Sequence, residues 1–127
     1  GGDIVLAQKL IDEGVIDDDP LFQFVLGIKY NSPANTETID YMRRLLPQNA
    51  IWGALGTGRN QFPVAAQSAL LGGNVRVGLE DNLYLRKGQF ATNEQLVEQA
   101  VRLLDILGRP IATPSEARSM LGLKAPS

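Results

Sequence analysis

Apolar positions along the chain follow two spacings, one helical and one of period two, and the spacing changes from segment to segment. From Asp3 to Gly14, the residues Val5, Leu6, Ala7, Leu10 and Ile11 form a helical stripe, with Asp3 placed to cap the helix and Gly14 to end it. The Asp17–Asp19 run and Pro20 then make a solvated acidic turn. Leu21–Ile28 is a mostly apolar run bounded by a turn, the pattern of a buried parallel strand. Gln23 interrupts it: either it is buried and needs hydrogen-bond partners, or it belongs to a site. After a loop over Tyr30–Asn35, either Asn35 or Thr36 caps a helix over Glu37–Leu46, whose stripe includes Ile39, Met42, Leu45 and Leu46.

Ala50–Leu55 is a second short strand, and Gly56, Thr57 and Gly58 follow it at once. Pro63 suits the first turn of a helix over Pro63–Leu71, which Gly72 and Gly73 stop. In Gly72–Leu85 the period falls to two. Val75, Val77 and Leu79 share one face of a third strand, and Arg76, Gly78 and Glu80 share the other. Asp81 and Asn82 stand where that strand should end. Arg86–Phe90 is expected to be an exposed loop in which Lys87 and Gln89 are solvated.

Thr92 and Gln95 make a capping box for a long helix over Asn93–Leu107, with Leu96, Val97, Ala100, Leu103, Leu104 and Leu107 on its buried face. Arg109–Ala112 is a short extended segment. Thr113, Pro114 and Glu116 form a second cap signature, opening a helix over Pro114–Leu121 that Gly122 ends; the Lys124–Ser127 tail should fray.

The order helix, strand, helix, strand, helix, strand, helix, helix predicts an α/β fold with about three parallel strands and flanking helices. Three parallel strands left as an open sheet would expose two long apolar edges, which natural proteins avoid. A chain that begins with a helix and holds three such strands fits the C-terminal portion of a (β/α)8 TIM barrel, a fold that needs roughly 250 residues in full. Residues 1–127 are then the C-terminal part of one barrel domain, incomplete without its N-terminal part.

Composition narrows the chemistry. The 127 residues carry a net charge of −2 with both signs interspersed and no basic run, which argues against a nucleic-acid partner. No apolar stretch is long enough to span a bilayer and no signal-peptide pattern is present. Cysteine is absent, which excludes disulfides and thiolate chemistry and fits a cytoplasmic protein. Histidine is absent too. A catalytic zinc site normally uses imidazole or thiolate ligands, so this chain can supply carboxylates and at most part of such a site.

Two stretches carry candidate chemistry. Gly56–Gly58, with Arg59 beside it, joins a strand to a helix. Such a turn can aim backbone N–H groups at an anion, or it can be a tight turn beside a solvent-facing arginine. It is neither a dinucleotide fingerprint nor a P-loop, because the third glycine and the Lys-Ser/Thr pair are missing. The second stretch is Arg76, Glu80 and Asp81. Arg76 and Glu80 share strand parity, and Asp81 falls where strand gives way to loop, the place where α/β barrels collect their reactive groups.

GGNVRVGLEDNLYLRKGQFATNEQLVEQAVRLL at 72–104 resembles the closing unit of the β-keto acid cleavage enzymes, the family of the 3-keto-5-aminohexanoate cleavage enzyme. FQFVLG at 22–27, GTGRNQFP at 56–63 and GRPIATPSEAR at 108–118 are similar to that family as well. The resemblance implies a TIM barrel with one divalent metal, usually zinc, held by two histidines from the part that precedes this chain and by Glu80. It implies that Arg76 and Asp81 form the dyad that handles the substrate proton. It also implies that Gly56, Thr57, Gly58 and Arg59, with Asn82, lie near the substrate or CoA. Many members have histidine where Asn60 and Asn74 stand here.

The implied reaction is a Claisen and retro-Claisen exchange between a β-keto acid and acetyl-CoA, giving acetoacetate and a new acyl-CoA, in a cytoplasmic homo-oligomer. Two alternatives stand beside it. One is another metal-dependent barrel aldolase or lyase using the same carboxylates. The other is an inert packing fragment in which Arg76 and Glu80 are a structural ion pair.

Overall fold

Helix formation begins at once. In a computed structural model that describes residues 1–17 and 19–124, α1 spans Gly2–Asp12. Gly1 rather than Asp3 occupies the cap position, and no side chain bonds there; Asp3 lies in the first turn, where its charge favours the helix dipole. Gly14, at φ +71°, follows the helix end as expected. The stripe differs from expectation. Val5 and Leu6 are exposed, and the helix instead packs through Ile4, with Ala7, Gln8 and Ile11 half-buried. Residues 4–7 form an unbroken apolar run, so period alone does not choose the face. A hydrogen bond from Gln8 Nε2 to the Leu45 carbonyl, 2.6 Å, holds the chosen one. Asp18 of the acidic run and residues 125–127 of the tail lie outside the described residues.

Strand β1 (Phe22–Leu26) pairs in parallel with β2 (Trp52–Gly56), register Phe22 to Trp52 through Leu26 to Gly56. Strand β3 (Asn74–Val75) adds to the other side of β2, giving the order β1-β2-β3, all parallel. Helix α2 (Thr36–Arg44) and helix α3 (Gln61–Leu70) connect them. Asn35 is the cap of α2, its Oδ1 accepting from the Thr38 amide at 2.8 Å. Phe24, Leu26, Trp52 and Ala54 project from one sheet face to meet Ile4, Ile39 and Val64, with Met42, Leu45 and Leu46 packed around them. Phe24 and Trp52 stack at 5.3 Å.

The opposite face corrects the expectation of a strand buried on both sides. Gln23 and Val25 of β1 are exposed there, although Leu55 of β2 is buried. Among the described residues, the helices that feed the core cover one side of β1 only.

The third strand is shorter than its alternating pattern. Only Asn74 and Val75 pair with β2, against Gly53 and Ala54. Ser68 Oγ donates to the Asn74 carbonyl (2.6 Å), and Asn74 Nδ2 donates to the Trp52 carbonyl (2.9 Å). Beyond Val75 no strand lies on the outer edge among the described residues, so no second ladder extends the element. The Gly78 carbonyl instead accepts from the amides of Asp81 and Asn82 and from Gln61 Nε2, closing a turn where a longer strand was expected.

Arg86–Phe90, expected as a loop, belongs to a β-hairpin: β4 (Tyr84–Arg86) and β5 (Gln89–Phe90) pair antiparallel across Lys87 and Gly88. Its strands are too short for alternation to mark them. Stacking of Tyr84 on Phe90 at 4.9 Å and the positive φ of Gly88, +79°, hold the turn.

Helix α4 (Asn93–Ile106) and helix α5 (Pro114–Met120) both open on complete capping boxes, at Thr92–Gln95 and Thr113–Glu116. Leu96 and Ala100 are the buried positions of α4, whereas Val97, expected inside, is exposed. Among the described residues no helix is long and apolar enough to cross a membrane.

Candidate functional site

Because β1 and β3 flank β2 in parallel, their C-terminal ends and the loops that follow share one edge of the sheet. Arg76, Glu80 and Asp81 meet there, and Arg76 reaches back across the open sheet face to Gln23, near the start of β1. Arg76 Nε donates to Asp81 Oδ2 at 3.0 Å, and Nη2 reaches Asp81 Oδ1 at 3.4 Å. Nη2 also donates to Glu80 Oε2 at 2.6 Å, and Nη1 reaches Gln23 Oε1 at 3.4 Å. One cation thus holds two carboxylates and an amide drawn from β1 and from the segment after β3.

The carboxylates differ in their surroundings. The Asp81 side chain is 10% exposed and that of Glu80 82%. Asp81 is fixed through both side-chain oxygens, and its carbonyl accepts from the Gly58 amide at 2.7 Å. The Glu80 carboxylate is open to solvent on the side away from Arg76. This division suits different work: the Asp81 carboxylate is held in one place, while the open Glu80 carboxylate can take a ligand.

Gly56–Gly58 serves this arrangement through its backbone. A Cβ on Gly56 would collide with the Asn60 backbone and approach Val64 Cγ2 at 2.8 Å, so only glycine lets the Gly58–Asn60 3-10 turn fold back over the end of β2. The Thr57 amide donates to the Leu26 carbonyl at 3.1 Å, and the Gly58 amide to Asp81. Both are therefore spent inside the protein. The turn fixes β1, β2 and Asp81 relative to one another and carries Arg59 outward, exposed to solvent.

Asn82 lies apart from the Arg76 group. It is buried, with Nδ2 donating to the Tyr84 carbonyl (2.6 Å) and Gln61 Oε1 (3.4 Å), and with Oδ1 accepting from the Tyr84 amide (3.1 Å). Its polar atoms organise the approach to the hairpin. Gln23, the polar residue in the apolar run of β1, reaches the Arg76 guanidinium. The signal was its parity with Val25, on the strand face opposite Phe24 and Leu26. Lys87, expected to be solvated, is exposed, and with Arg86 and Arg59 it borders a cleft of about 930 Å³.

Among the described residues there is no group of three or more His, Cys, Asp or Glu side chains able to hold a metal ion. The donors at the sheet edge are Glu80, open, and Asp81, engaged by Arg76.

Comparison with known proteins is consistent with these features. The sequence profile of the β-keto acid cleavage enzymes matches residues 1–123. The chain is 44% identical over 122 residues to the 3-dehydrocarnitine:acetyl-CoA trimethylamine transferase of Rhizobium meliloti, covering 96% of this chain and 41% of that protein. It is 44% identical over 124 residues to the 3-keto-5-aminohexanoate cleavage enzyme of Fusobacterium nucleatum, covering 97% and 45%. With the 3-oxoadipate:acetyl-CoA acetyltransferase of Cupriavidus necator it shares 44% identity over 125 residues, covering 94% and 44%. The chain therefore spans less than half the length of these relatives. On the profile match and these identities, it belongs to the β-keto acid cleavage enzyme family.

Proposed function

We propose that the protein containing this chain exchanges acyl groups between a β-keto acid and acetyl-CoA, and that residues 1–127 form the C-terminal part of its (β/α)8 barrel. The observation that carries this reading is the Arg76–Asp81 pair with Glu80 at the edge where parallel strands end. The names of the relatives, each an acetyl-CoA-dependent transferase or a keto-acid cleavage enzyme, support the same chemistry.

Asp81, oriented by Arg76, takes the proton from the carbon between the two carbonyl groups of the keto acid. That carbon attacks the thioester carbonyl of acetyl-CoA, forming a C–C bond and expelling the CoA thiolate. The thiolate then attacks the original ketone, and the bond between that carbonyl and the central carbon breaks. Asp81 returns its proton to the departing acetoacetate carbanion, and the new acyl-CoA is released. Arg76 keeps the Asp81 carboxylate in one orientation through both cycles, and the guanidinium offsets charge that builds up beside it. Gly56, Thr57 and Gly58 hold the loop that fixes Asp81. Arg59, exposed beyond that loop, takes part in holding CoA, and Asn82 shapes the segment that leads to the hairpin.

A divalent ion, zinc in this reading, fits Glu80 as one oxygen donor; when bound it polarises the keto acid's oxygens. The exposed Glu80–Arg76 pair is worth on the order of 1 kcal/mol or less, so it does not prevent Glu80 from taking a ligand. The remaining donors come from outside the described residues.

The test is product analysis. The intact protein, incubated with acetyl-CoA and a panel of β-keto acids, should release acetoacetate and a matching acyl-CoA in equal amounts by mass spectrometry. Cleavage of the keto acid without a new thioester would favour an aldolase or lyase and overturn this reading.

A further inference from the structure

The hairpin has no role in the reaction as described, yet it brings cations together. Arg59, carried by the turn after β2, and Arg86 and Lys87, at the hairpin tip, border the 930 Å³ cleft. All three are exposed, no carboxylate contributes to the lining, and none of the three makes an ion pair among the described residues. Phe62 and Leu85 give the same cleft apolar surface. Three like charges gathered beside apolar walls, with no counter-charge, favour a ligand that joins several negative charges to a flat apolar group.

The position of the cleft narrows the ligand. Gly58 borders it, and the Gly58 amide is bonded to the Asp81 carbonyl, so the cationic cleft begins one residue contact away from the proposed base. A molecule whose reacting end sits at Asp81 and whose charged end sits among these cations must be long, with its phosphates remote from its acyl group.

We propose that the cleft between the Gly58–Asn60 turn and the Tyr84–Phe90 hairpin binds the phosphorylated adenosine end of the CoA thioester, with Arg59, Arg86 and Lys87 pairing its phosphates. This rests on the acyl-exchange reading for the identity of the ligand, and on the cleft alone for its anionic, nucleotide-like character. The Asn82 bonds to Tyr84 and Gln61 then position the hairpin, which explains why a buried asparagine connects the site to an exposed tip.

Two probes separate the ends of the ligand in the intact protein. Adenosine 3′,5′-bisphosphate carries the phosphates without a thioester, and acetyl-N-acetylcysteamine carries the thioester without phosphates. The variant Arg86→Gln/Lys87→Gln should bind the bisphosphate about tenfold more weakly or worse by calorimetry, as lost charge-assisted contacts require. Its KM for acetyl-CoA should rise with little change in kcat, and its rate with the short thioester should stay at the wild-type value.

Arg59→Gln, on a different element, should weaken the bisphosphate in the same way and keeps the test open if the hairpin variant folds poorly. Unchanged bisphosphate affinity in both variants, or no binding by the wild type, overturns the proposal. A bisphosphate affinity that these variants lose, in a protein that exchanges no acyl groups, supports the subsite and overturns the reaction instead.

Discussion

Glu80 and Asp81 are adjacent in sequence but sit in opposite surroundings, and that contrast separates their roles experimentally. Asp81 is nearly covered and held by Arg76 and by the Gly58 amide; Glu80 is open. Glu80→Ala in the intact protein should lower metal affinity by about tenfold or more, since losing even an outer-shell partner of a metal ligand has that effect. Asp81→Asn should leave metal content unchanged by elemental analysis while turnover falls by roughly 100-fold or more, the usual loss for a general base. Metal content unchanged in Glu80→Ala, or wild-type turnover in Asp81→Asn, removes that residue from its role. Arg76, Glu80 and Asp81 do come together, though not through the strand parity that singled them out: β3 stops at Val75, and the turn through Gly78 folds both carboxylates back onto Arg76. Gln23 was half-legible, since a polar residue in an apolar run signals either packing or a site. The nearness of Arg86 and Lys87 to Arg59 was not legible, because Arg59 is far away in sequence and the three border one cleft only after the turn and hairpin fold.

Capping was the most readable part of the elements, because a cap is written in four adjacent residues. Thr92 and Thr113 both accept from the amide three residues on, and Gln95 and Glu116 return the bond. Thr92→Ala should destabilise the protein by about 1 kcal/mol in chemical denaturation, the usual worth of an N-cap side chain. Asp40 in α2 gives a pH-dependent counterpart. Its carboxyl is held below its ordinary value by hydrogen bonds from Arg43 and then Arg44. With the folded value lowered, this contribution is fully present above the unfolded carboxylate range and is lost as pH falls through the folded value. The stability difference between the protein and its Asp40→Asn variant should therefore shrink as pH falls through and below the ordinary carboxylate range, measured by denaturation at each pH. A constant difference would show that the Asp40 charge does not act. Faces and strand ends were harder to read than caps. The side of α1 that packs, and the length of β3, depend on neighbours that lie elsewhere in the chain or are absent from the described residues.

At the scale of the whole molecule, one face of the sheet is covered and the other is covered only in part, at Leu55 of β2 but not along β1. Phe24, Leu26, Trp52 and Ala54 are covered, whereas Gln23 and Val25 on the other face of β1 stand open, and β1 and β3 each keep an unpaired edge among the described residues. Among the described residues more large apolar side chains are exposed than buried, Val5, Leu6, Ile28 and Ile106 among the exposed ones. Open parallel edges and uncovered apolar faces favour association with further strands. On the barrel reading proposed above, those strands and the missing metal donors belong to one and the same part of the protein. Residues 1–127 expressed alone should then self-associate in sizing experiments and bind a hydrophobic dye. They should hold Zn²⁺ at least ~100-fold more weakly than the intact protein, because one carboxylate cannot replace a shell of imidazoles. Adding the preceding part of the protein as a separate chain should restore both a discrete particle and tight metal binding. A monomeric 1–127 fragment that unfolds in one cooperative transition and binds zinc as tightly as the intact protein would mean that the sheet is complete as it stands. The open face of β1 would then need an explanation other than a barrel wall.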